Sequence, residues 1–63
     1  MDRIRRYSLM LLERYPGLFT EEFETNKELL EKVAKITSKE LRNEIAGYLT
    51  RMVKKGALEA GAE

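Results

Sequence analysis

The only proline of the sequence, Pro16, stands directly before Gly17, and on either side of this pair apolar residues recur at helical spacing. Proline disfavours a helical residue before it, and glycine tolerates the turn that follows. A first helix is therefore expected over about 3–15 and no further. Ile4, Ser8, Leu11, Leu12 and Tyr15 share one face of it, while Leu9 and Met10 point away from that face. Leu18 and Phe19 are apolar residues in a connector and are expected to fold back on the core. Thr25-Asn-Lys-Glu28 has capping-box spacing, which predicts a second helix running to about Lys35. Leu29, Leu30 and Val33 form its apolar stripe, with Ile36 just past its end. Thr37-Ser-Lys-Glu40 repeats the capping-box spacing and predicts a third helix over about 38–55, ending at Gly56. Residues 57–63 are expected to be a disordered tail. The expected fold is all-α: a compact three-helix bundle over 1–56, whose short connections admit a helix-turn-helix-like corner.

A chain of 63 residues holds one domain with a modest core, so its stability alone is marginal. It has no cysteine, hence no disulfide and no thiolate metal ligand, and no histidine, which removes the usual neutral-pH base and zinc ligand. Ser38, Thr25 and Thr37 are accounted for as caps, and Ser8 faces the core. Glu21, Glu22 and Glu24 precede or open the second helix, where its dipole favours negative charge, and their spacing is not that of a calcium loop. Nothing supplies an activated nucleophile or a glycine-rich phosphate loop. The expectation is a protein that is not an enzyme, with no metal, cofactor or small-molecule substrate. No apolar run approaches a membrane span, so an intracellular chain with no membrane partner is expected.

The net charge of +1 conceals a strong segregation. Residues 1–20 carry four arginines against Asp2 and Glu13, and residues 21–31 carry five glutamates against Lys27. Residues 32–55 then carry seven lysines or arginines against Glu40 and Glu44. At about 100° per residue, Leu41, Ile45, Tyr48, Leu49 and Met52 fall on one arc of the third helix, the core seam. Lys39, Asn43, Gly47, Thr50, Arg51 and Lys54 fall on the opposite arc, with Gly47 near its middle. A glycine inside a helix costs about 1 kcal/mol relative to alanine. A bare backbone spot among cations would let a phosphate backbone come close, with Asn43 and Thr50 as hydrogen-bond donors. Arg3, Arg5 and Arg6 form a second basic group. The plainer reading of both groups is solvated surface charge. Arg42 sits at the border of the apolar arc, where it can pair inside the domain or reach outward.

The stretch SKELRNEIAGYLTR, Ser38 to Arg51, closely resembles the signature of the archaeal and eukaryotic small-subunit ribosomal protein family S-seventeen-e. YPGLFTEEFETNKELLEKV, Tyr15 to Val33, is similar to that family at Phe23, Asn26 and Lys27 above all, and Ile4-Arg5 matches its N-terminal Ile-Arg. The resemblance implies a small helical bundle of archaeal type that binds small-subunit rRNA. It also implies a place in the cytoplasmic ribosome, beside neighbouring proteins of the subunit head. Carried over position by position, it adds Lys27 and points again to Lys39, Arg42, Asn43, Thr50 and Arg51. Glu44 departs from the family, which has a basic residue there, and the first helix is shorter and lacks the Lys-Arg step after Ile-Arg. The expected mechanism is phosphate neutralisation by Arg3, Arg5, Arg6, Lys39, Arg42, Arg51 and Lys54, with specificity from RNA shape. The few aromatics are mostly expected in the core, so no base-stacking platform is foreseen. The rival expectation is a helical protein-interaction module, such as a homodimer joined through Leu9 and Met10.

Overall fold

Tyr15 is the last residue of the first segment whose amide reaches back a full helical turn, to the Leu11 carbonyl at 2.9 Å. Pro16 has no N–H to give, and Gly17 takes φ +81°, a left-handed conformation that glycine adopts without strain. The Leu18 amide then closes the turn on the Tyr15 carbonyl at 3.2 Å. In the computed structural model, which describes the backbone of residues 2–61 and the side chains of residues 3–56, the helix so ended is α1, Asp2–Arg14. It is followed by α2, Phe23–Val33, and α3, Lys39–Gly61. The all-α, three-helix architecture is the one expected.

Two helix starts differ from the sequence reading. α2 begins before Thr25, with Glu22 as its extended N-cap residue, and Glu22 makes no side-chain cap bond. The capping box at Thr25–Glu28 is therefore not used: Thr25 lies within the first turn. Its place is taken by Thr20, whose Oγ1 accepts the Glu22 amide at 3.0 Å. α2 ends at Val33, because Ala34 turns extended while its amide bonds the Leu30 carbonyl. α3 is capped by Ser38 and not by Thr37: Ser38 Oγ accepts the Leu41 amide at 3.1 Å. Gly56 does not stop α3. It has no left-handed φ, and the helical backbone continues to Gly61. The tail expected to be disordered over 57–63 thus meets a helical backbone over 57–61, and residues 62 and 63 lie outside the described residues.

α3 is the axis of the molecule. Its 23 residues span about 34 Å at the helical rise, close to the 39 Å longest dimension. α1 and α2 each pack on α3, and among the described residues they do not pack on one another. The core is Leu11, Phe19, Leu30, Ile45, Ala46 and Leu49. Leu18 and Phe19 do fold back, and Leu29, Val33 and Ile36 pack beside them. Ala46, absent from the expected seam, is fully buried. Its small side chain widens the buried arc of α3 enough to receive two helices. Ser8 is fully buried, as its spacing predicts, and its Oγ has no hydrogen-bond partner among the described residues.

Candidate nucleic-acid interface

The polar residues singled out on sequence grounds separate into two sets once their hydrogen bonds are followed. The first set holds the domain together. Asn26 is fully buried in α2, and its side-chain amide uses its whole bonding capacity. Nδ2 donates to the Thr20 carbonyl and to Thr50 Oγ1, both at 2.7 Å. Oδ1 accepts from the Thr20 amide at 2.8 Å and from Thr20 Oγ1 at 3.3 Å. Thr50 Oγ1 in turn donates to the Ala46 carbonyl at 2.8 Å. The connector, α2 and α3 are thereby tied at one point, and the hydroxyl of Thr50 is spent inside the fold. Arg42 is engaged in the same way. Its guanidinium donates to the Ile36 carbonyl at 3.0 Å and lies 3.7 Å from Glu31, bracing the α2–α3 connection. Of the two outcomes open for Arg42, the structure takes the internal one. Asn43 is half-buried, with its Oδ1 enclosed and without a hydrogen-bond partner among the described residues.

The second set is exposed. Arg3, Arg5, Arg6, Lys39, Arg51 and Lys54 all stand in solvent. Two shallow grooves meet on α3. One is lined by Ile4, Glu44, Gly47, Tyr48 and Arg51, the other by Gly47, Thr50, Arg51, Lys54 and Lys55. Gly47 and Arg51 belong to both, so the glycine lies at the junction of the grooves, as the helical wheel placed it. Glu44 lies in the first groove and lowers its positive character there. The second groove has three cationic lining residues and no acidic one. A further cleft on α1 is lined by Arg3, Arg6, Tyr7 and Met10.

Lys39 is exposed at the first turn of α3 and lines neither groove. Lys27, named only through the family resemblance, is half-buried, with Nζ 5.4 Å from the centroid of the Phe23 ring. Phe23 itself is exposed beside Gly47: a Cβ on the glycine would stand 3.9 Å from its Cε1. Sequence reasoning named Phe23 only as a point of family resemblance, with no place at the surface, and did not single out Lys55. Lys55 was legible as the step after Lys54, whereas the position of Phe23 depends on the early start of α2.

Comparison with known proteins places the chain in a family. A family model described as Ribosomal S17 matches residues 1–62. The small ribosomal subunit protein eS17 of Methanocaldococcus jannaschii is 51% identical over 51 residues, which are 81% of this chain and 82% of that protein. The eS17 protein of Methanococcus vannielii is 52% identical over 52 residues, 82% of each chain. That of Pyrobaculum arsenaticum is 43% identical over 60 residues, 95% of this chain and 84% of that one. With matches of this identity along nearly its whole length, the chain belongs to the S17e family of small-subunit ribosomal proteins.

Proposed function

We propose that the protein is a non-enzymatic structural constituent of the small ribosomal subunit in the cytoplasm, and that it binds small-subunit rRNA through phosphate contacts on α3 and the basic N-terminal helix. The observation that carries this reading is the surface centred on Gly47 and Arg51. There a bare backbone position adjoins a groove lined by Arg51, Lys54 and Lys55. Such a surface admits a sugar–phosphate strand to the helix itself and neutralises it with three cations. Arg3, Arg5 and Arg6 supply a second set of phosphate contacts, and Lys39 an outlying one. Arg42 and Thr50 serve by holding α2 and α3 in register, since their polar groups are engaged within the domain, while Asn43 is half-buried between the two sets. Leu9 and Met10, both exposed, are the natural contact for neighbouring proteins of the subunit head.

The test is sucrose-gradient sedimentation of a tagged copy at low and at moderately high salt. The natural sequence is expected to co-migrate with the small subunit. The double variant Arg51→Glu, Lys54→Glu is expected to fold with unchanged helicity and to leave the subunit at the higher salt. A natural sequence that stays at the top of the gradient under both conditions overturns the reading. The protein-interaction module built on Leu9 and Met10 would then take its place, and its self-association would be nearly insensitive to salt.

A further inference from the structure

The geometry points to Phe23 as a stacking platform for an unpaired RNA base, set beside the Gly47–Arg51 surface. This rests on the rRNA-binding reading above and names what the RNA must offer there. Phe23 is 37% exposed, one of three large apolar side chains that stand exposed among the described residues, so part of its ring is left accessible. Two neighbours hold it in place. Lys27, one turn further along α2, sets its ammonium over the ring, and the ring edge rests against Gly47.

The glycine is the informative neighbour. A Cβ at position 47 would meet only Phe23 Cε1, at 3.9 Å, which is ordinary van der Waals contact. The domain's own packing therefore does not require glycine there, although glycine costs about 1 kcal/mol in a helix interior. What its bare backbone keeps open is the passage between the Phe23 ring and the groove of Thr50, Arg51, Lys54 and Lys55. A strand crossing α3 at that point places phosphates on the groove cations and turns a base toward the ring.

An aromatic face bordered by cations is the arrangement that binds unpaired nucleotides, because every base has a π-face and every linkage a charge. The cations beside Phe23 and Gly47 (Lys27, Arg51, Lys54 and Lys55) favour this occupant over an apolar side chain of a neighbouring protein. Of the nearby carboxylates, Glu44 lines the neighbouring groove of Ile4, Gly47, Tyr48 and Arg51 and not the one of Thr50, Arg51, Lys54 and Lys55. Glu24 and Glu28 lie about 100° or more round α2 from Phe23, on the side away from buried Asn26 and Leu30.

The experiment compares the full chain with Phe23→Leu and Phe23→Trp. Each is titrated with a short single-stranded oligoribonucleotide and with a duplex of the same length, with helicity checked by circular dichroism. Phe23→Leu keeps an apolar side chain against Gly47 but removes the π-face. It is expected to weaken single-strand binding about tenfold and to change duplex binding less than about twofold. Phe23→Trp is expected to restore single-strand binding. Salt-sensitive RNA binding that Phe23→Leu leaves unchanged on both ligands overturns the platform while the rRNA-binding reading stands. A chain that binds neither ligand and does not co-sediment with the small subunit overturns both. A photo-crosslinker placed at position 23 in assembled subunits is expected to label RNA, and labelling of a protein instead overturns the proposal.

Discussion

Two single residues show how differently the matched positions of this chain are employed. Asn26 makes bonds to Thr20 and Thr50 that no apolar replacement can make. Asn26→Ala strands buried partners in the connector and on α3, and it should cost roughly 2–4 kcal/mol of stability. Urea denaturation at constant m-value measures this, and a cost below about 1 kcal/mol would show that Thr20 and Thr50 find other partners. Gly47 is the opposite case. Gly47→Ala gains helix propensity of about 1 kcal/mol, and the new methyl meets Phe23 at an ordinary distance. The free domain should melt a few degrees higher, by about 4–8 °C for a chain of this size. Incorporation into the small subunit, read by competition with the natural sequence, should nevertheless fall. A residue that stabilises the monomer and harms assembly identifies a surface kept bare for a partner. Gains on both measurements would leave Gly47 without that role.

At the scale of the helices, the start of α3 turns on one hydroxyl. Ser38 Oγ takes the Leu41 amide, whereas Thr37 makes no cap bond among the described residues. Ser38→Ala should therefore cost about 1 kcal/mol, and Thr37→Ala less than about 0.5 kcal/mol. Thermal melts of the two variants decide the matter, and the reverse order would restore the cap to Thr37. The sequence showed two overlapping choices at this boundary, because Thr37 and Ser38 are both competent caps. α2 shows the same limit more sharply. Thr25 and Glu28 have capping-box spacing, yet the helix starts earlier. The bonds of Thr20 to Asn26 and Glu22 fix the chain so that the helix opens at Phe23, two residues before Thr25, and a local pattern carries no trace of a contact made through a buried side chain.

At the scale of the whole molecule, α3 is the one element among the described residues on which both other helices pack. Its buried residues Ile45, Ala46 and Leu49 thus serve two interfaces at once. A 63-residue domain has a total stability of roughly 3–9 kcal/mol, and Leu49→Ala removes roughly 2–5 kcal/mol of it. That variant should lose α1 and α2 together in one transition. Urea curves followed by helicity and by tyrosine fluorescence should coincide, and separate midpoints would show that the two helices dock independently. The same arrangement explains the position of the basic surface. With α1 and α2 packed on the arc of Ile45, Ala46 and Leu49, the arc that carries Gly47, Arg51 and Lys54 faces away from both interfaces.

The sequence by itself determined the helix count, the end of α1, most of the core and the polar arc of α3. Each of these follows from local stereochemistry or from the helical repeat: Pro16-Gly17 cannot continue a helix, and residues three and four apart must share a face. It also carried the family, in the run from Ser38 to Arg51. Tertiary structure decided which polar residues on that arc remain free. Thr50 reads as a surface donor, and Arg42 at the border of the apolar arc as able to turn either way, until Asn26 and the Ile36 carbonyl are brought beside them. Phe23 reads only as a point of family resemblance until α2 starts early and brings its partly exposed ring beside Gly47. The physical reason is common to all three. A side chain's hydrogen bonds and exposure depend on which residues distant in sequence come within a few ångströms of it, and helical periodicity describes only the residues of its own helix.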